Sequence, residues 1–208
     1  MNSWVRELCA ARALSEGNIE GDMKATMRSV DGEPRAESWR TDRVGAGMDR
    51  WRREFPDIDC SGKAVVGRLL HLNEVMLKEV NRVLGKHRLK YPAYAVMATL
   101  RVEGEPYRMM PKRLLETLIL TSGGLSNILR RLEKARYIRR LADKNDGRGV
   151  VVELTEQGRR VVEPAMRDHS ETERRLVAML SREDQQAAAR ALGLMMAAHH
   201  PEDSGDGS

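Results

Sequence analysis

Residues 111–154 constrain this chain most, because three local signatures follow one another there with almost no chain between them. Pro111 opens a helix over 111–118, where its missing N–H costs nothing. A turn of three or four residues follows. Ser122 caps a second helix over 123–136. Tyr137–Leu141 then reads as a short strand, Ala142–Gly149 as a polar turn of Asp, Asn and Gly, and the β-branched run Val150–Leu154 as the returning strand. Helix, turn, helix and basic hairpin make a winged helix-turn-helix in a mainly α chain.

The flanks are helical too. Val65, Val66, Leu69, Leu70, Leu72, Val75, Met76, Val80, Val83 and Leu84 recur at spacings of three and four, predicting a helix over 62–86. Its apolar stripe is wider than one neighbour needs, which suits a helix packed both on its own domain and on another chain. A helix over 91–102 carries Pro92 in its first turn and is broken by Gly104 and Pro106. Thr155 caps a further helix, and Ser181 with Asp184 reads as a capping box for a last one over 182–199. The winged helix therefore spans about 91–154 within a domain of about 62–200. Residues 47–61 hold a short extra helix, stopped by Pro56, and a loop. Residues 1–46 show no sustained hydrophobic period and read as a poorly ordered extension, and 201–208 as an acidic tail.

Composition narrows the function. The net charge of +5 hides an asymmetry: residues 1–60 carry −2, residues 61–200 carry +10 and the last eight −3. A basic body suits a polyanion, since lysine and arginine that neutralise phosphates release counterions. Two cysteines make neither a disulfide scaffold nor a zinc cluster. There is no apolar run of membrane-crossing length and no signal peptide, so a cytoplasmic protein without membrane association is expected. No Ser/His/Asp set, glycine-rich phosphate loop, paired carboxylates or metal spacing is present. No enzymatic activity and no cofactor are expected.

The charge concentrates on the winged helix. Residues 111–149 contain ten basic groups against four acidic ones. In the second helix Leu125, Ile128, Leu129 and Leu132 face inward, leaving Ser126, Asn127, Arg130, Arg131 and Lys134 outward. Hydrogen-bonding and cationic side chains of this kind reach base edges and phosphates in a major groove. Ser122 stands at the start of the same helix. In the hairpin turn Lys144 adds charge, Asp146 can orient a basic neighbour, and Arg148 at the tip can enter a narrow minor groove. Double-stranded DNA is the expected partner. The alternative, a winged helix used for protein interaction without DNA, is expected to lose basic residues from the recognition helix and wing, and this chain keeps them.

The run from Thr121 to Val162 resembles the multiple-antibiotic-resistance regulator (MarR) family. The matching residues are Leu132, Glu133 and Ile138, the Asp-x-Arg of Asp146 and Arg148, and Leu154-Thr155 followed by Gly158. The resemblance covers about residues 62–199. It implies a homodimeric, ligand-responsive repressor on a pseudo-palindromic operator, with the first and last helices of that span interlocked as the dimerisation region. It assigns Ser126 and Asn127 to base contact and Arg148 to the minor groove. Two departures stand out. Arg136 occupies a place where the family usually has glycine, and Asn127 replaces a common arginine.

Trp51, in the extra helix, is similar to a position of the family's urate-responsive branch, and Arg139 matches a second. Ala95 and Asn127 stand where that branch carries Asp and Arg. The resemblance therefore implies an effector other than urate: a small aromatic or phenolic compound bordered by Trp51, Tyr94, Met97 and Arg139. Cys60 lies beside Asp57 and Asp59, the opposite of the electropositive setting a sensing thiol needs, and is expected to be passive.

Overall fold

The computed structural model describes residues 41–142 and 149–199. The chain divides at Leu69–Leu70 into two compact units. The described part of the first contains α1 (Arg43–Glu54) and the start of α2 (Lys63–Gly85). The second continues with α3 (Tyr91–Val102), β1 (Arg108–Met109), α4 (Pro111–Thr117), α5 (Ser122–Lys134), β2 (Ile138–Ala142), β3 (Val150–Leu154), α6 (Glu156–Leu176) and α7 (Arg182–His199).

In the first unit α1 starts five residues before the expected Met48. Asp42 is the reason. Its backbone is extended, its Oδ1 accepts from the Gly45 N–H at 2.7 Å, and its carboxylate also receives the Arg68 guanidinium. Burial pushes this carboxyl up, but the Gly45 N–H and the Arg68 bond outweigh it, so its pKa lies below the usual value. The boundary expected at residue 46 thus falls inside a helix. Residues 1–40 lie outside the described residues.

In the second unit the core is formed where α3, α5 and α6 meet the sheet. Leu84, Val96, Met97, Leu100, Leu114, Val152, Val162 and Ala165 are fully buried there. The sheet has the order β1-β3-β2, with both pairs antiparallel. Strand β1 is missing from the sequence reading because two residues show no period. Pairing of Arg108 with Glu153 and Met109 with Val152 creates it. Helix α7 has no buried residue.

Candidate nucleic-acid interface

Helix α5 begins one residue earlier than expected, and its cap is Thr121, not Ser122. Thr121 has the extended backbone of a capping residue and its hydroxyl accepts from the Gly124 N–H at 3.1 Å, which makes Ser122 the first helical residue. Leu125, Leu129 and Leu132 are buried and Ile128 is partly buried, as the spacing predicts. Ser122, Ser126, Asn127, Arg130, Arg131 and Lys134 are all exposed. Arg130 donates to Asn127 Oδ1 at 3.1 Å, so one outward side chain orients the other.

The helix ends in a Schellman motif. The Tyr137 N–H donates to Leu132 O at 3.0 Å and the Arg136 N–H to Glu133 O at 2.9 Å. Arg136 adopts φ +60°, the left-handed conformation that glycine takes without strain. The cap then connects to α6. The Thr155 hydroxyl lies 2.7 Å from Arg136 O and 3.0 Å from Tyr137 O, and it accepts from the Gly158 N–H as the cap of α6.

The charge is less concentrated than the count over 111–149 suggests. Lys112 pairs with Glu116, Arg113 with Glu103, Arg139 with Glu153 and Arg140 with Glu133. Lys144 and Arg148, with Asp146, lie outside the described residues. Among the described residues Arg130, Arg131, Lys134 and Arg136 have no carboxylate partner, and all four sit in the second half of α5 or its cap. The first half of that helix carries only small or neutral polar groups on its exposed face. This division into a polar N-terminal half and a cationic C-terminal half suits a helix that reads base edges with one end and phosphates with the other.

Sequence reasoning missed Glu153. It lies in the middle strand, 6% exposed, flanked in register by Arg108 on β1 and Arg139 on β2. Both guanidiniums bond its carboxylate, Arg139 Nε at 2.7 Å from Oε1 and Arg108 Nε at Oε2. Only the alternation of the hairpin strand, with Glu between Val152 and Leu154, could have marked it.

Of the expected ligand residues, Trp51 lies in the first unit and Tyr94, Met97 and Arg139 in the second. Met97 is fully buried in the core. Tyr94 is buried with its ring 4.6 Å from that of His169 and 6.3 Å from that of Tyr91. Burial, Glu173 and Tyr91 push its phenol up to about 12. Trp51 belongs to the first unit, against Phe55 at 5.5 Å and under Lys63 Nζ at 4.0 Å. Arg139 is held by Glu153. A cleft of about 290 Å³ lies between the end of α3 and α6, lined by Arg101, Val102, Glu163, Met166 and Arg167. None of the expected ligand residues lines it.

Comparison with known proteins matches this architecture. Residues 78–164 fit the family described as transcriptional regulator SarA/Rot. AbsC of Streptomyces coelicolor, a MarR family transcriptional regulator, superposes with a TM-score of 0.63 over 71% of this chain and 98% of its own, at 24% identity. A mutant MarR of E. coli complexed with operator DNA does so with a TM-score of 0.59 over 67% and 99%, at 23% identity. The HTH-type transcriptional regulator PecS of Dickeya dadantii is 30% identical over 146 residues, which are 70% of this chain and 88% of PecS. The chain belongs to the MarR family. It is therefore a winged-helix transcriptional regulator. Within the family frame α4 and α5 are the helix-turn-helix, and β2 and β3 are the arms of the wing. No helix among the described residues is long and apolar enough to cross a membrane.

Proposed function

We propose that this protein is a ligand-responsive repressor that binds a pseudo-palindromic operator in double-stranded DNA as a homodimer. The observation that carries the reading is the exposed face of α5, where Ser126 and Asn127 precede three cations without carboxylate partners. Ser126 and Asn127 would contact base edges, Arg130, Arg131 and Lys134 the phosphates, and Arg148 the minor groove. A family relative solved on operator DNA supports the docking. The exposed apolar residues of α2 and α7, Leu70 and Leu194 foremost at 69% each, support a second copy as their cover. The protein would act in the cytoplasm and without catalysis. Its effector would be a small aromatic or phenolic compound, since the guanidinium of Arg139 is already engaged by Glu153.

The test is a mobility shift on the DNA upstream of the protein's own coding region at several salt concentrations. Arg131→Ala and Lys134→Ala should each lower the salt slope by about two ions per dimer and weaken all sequences alike. Asn127→Ala should instead change which base pairs matter. Slopes equal to that of the parent would remove these cations from the interface.

A further inference from the structure

Gly123, the second residue of α5, has no reason within the protein to be glycine. Its φ lies outside the left-handed region, and a β-carbon built on it meets no heavy atom within 4 Å, as also holds at Gly47, Gly62, Gly85 and Gly193; of these five, Gly123 is the one on α5. Two other glycines nearby are explained by their surroundings. At Gly124 a β-carbon would come 3.0 Å from the capping hydroxyl of Thr121, and at Gly158 it would come 2.2 Å from Tyr137 O. Glycine is the poorest helix former after proline, so at 123 it weakens the first turn of α5 with no internal packing gained. Helical spacing puts 123 on one face with Ser126, Asn127 and Arg130, at i+3, i+4 and i+7, and all four are exposed.

We infer that Gly123 is a specificity-determining residue whose missing side chain lets a base-pair edge of duplex DNA come against the backbone of α5. The inference rests on the proposed reading of α5 as the recognition helix. Glycine is the residue that permits close approach of backbone to ligand. The side chains beside it, Ser126 and Asn127, are the hydrogen-bonding types that would need the helix this near to reach the same base pairs. The close approach belongs to the specific complex alone, because a non-specific complex is held by phosphates.

The experiment compares the full chain with Gly123→Ala and Gly123→Gln, using a duplex recovered by the unaltered protein from a randomised pool and a scrambled duplex of equal length. Gly123→Ala should melt about 1–3 °C higher, because alanine is the better helix former. It should bind the selected duplex roughly tenfold more weakly, a loss comparable to one mismatched base pair. The scrambled duplex should be bound within about twofold of the parent, since phosphate contacts do not involve this position. Gly123→Gln should lose still more on the selected duplex only. An alanine variant with the parent's affinity for the selected duplex overturns the inference and leaves the reading of α5 standing. So does a variant that melts lower, since the glycine would then serve folding. An unaltered protein that recovers no duplex overturns both.

Discussion

Gly158 faces the carbonyl oxygen of Tyr137 so closely that a β-carbon at 158 would stand 2.2 Å from it and 2.8 Å from Leu154 Cδ1. The closeness has a cause. The Thr155 N–H donates to the same carbonyl at 2.9 Å, and the Thr155 hydroxyl caps α6 through the Gly158 N–H at 3.0 Å. The start of α6 is therefore pulled onto the end of α5. Gly158→Ala must displace backbone and should lower stability by about 2–3 kcal/mol, as overpacking does. Urea unfolding measures it, and a stability equal to the parent's would show that the junction yields freely.

Arg136 holds the left-handed position that closes α5. Arg136→Gly should raise stability by roughly 0.5–1 kcal/mol, the relief of strain being partly offset by the freer unfolded chain. A less stable glycine variant would show that the Arg136 side chain contributes packing that outweighs its backbone strain.

Tyr94 carries a phenol pushed up to about 12 from an ordinary 10.0. The folded state thus holds its proton more tightly than the unfolded one. The associated stability is complete below pH 10 and is lost as pH rises toward 12. Stability measured across that window should fall in the parent and fall less in Tyr94→Phe, which has no proton to lose. Parallel curves would place the alkaline sensitivity elsewhere.

Leu70→Glu or Leu194→Glu places a charge on an apolar surface exposed in the single chain. Either variant should sediment as a monomer at micromolar concentration while the parent sediments as a dimer, because an unpaired carboxylate is costly to bury in an interface. A dimeric Leu194→Glu protein would exclude the middle of α7 from the contact.

Urate should not release this protein from DNA at micromolar levels. Ala95 and Asn127 lack the charges of the urate-responsive branch, and Arg139, the arginine that matches it, is already bonded to Glu153. A missing charge-assisted hydrogen bond to an anion is worth about 1.5–3 kcal/mol. Titrating the protein–DNA complex with urate and with aromatic acids and phenols decides the matter; Glu153→Gln, which frees both arginines, should favour anionic ligands over neutral phenols relative to the parent.

The helices were legible from residue order because each is a local, periodic object with its own caps. The α3 limits and the Val150–Leu154 strand fall where the sequence puts them, and α2 and α7 lie within one residue of their expected limits. The outward set on α5 was equally legible, since burying Leu125, Leu129 and Leu132 leaves the other face no choice. The glycine expected at 136 was marked by its absence, and the left-handed backbone there supplies the reason. What stayed hidden depends on neighbours distant in sequence. Strand β1 exists through pairing with β3, about 45 residues on, and has no period of its own. The early start of α1 depends on Asp42 meeting Arg68. The withdrawal of Arg108 and Arg139 into Glu153 depends on sheet register, which residue order alone does not give. The sequence by itself therefore determined the helix-turn-helix, its exposed face and the sign of its charge, which follow from local periodicity. Only the tertiary structure decided which of those charges remain without a carboxylate partner and that nothing in the fold fills the space beside Gly123, because both are set by what the fold brings within a few ångströms.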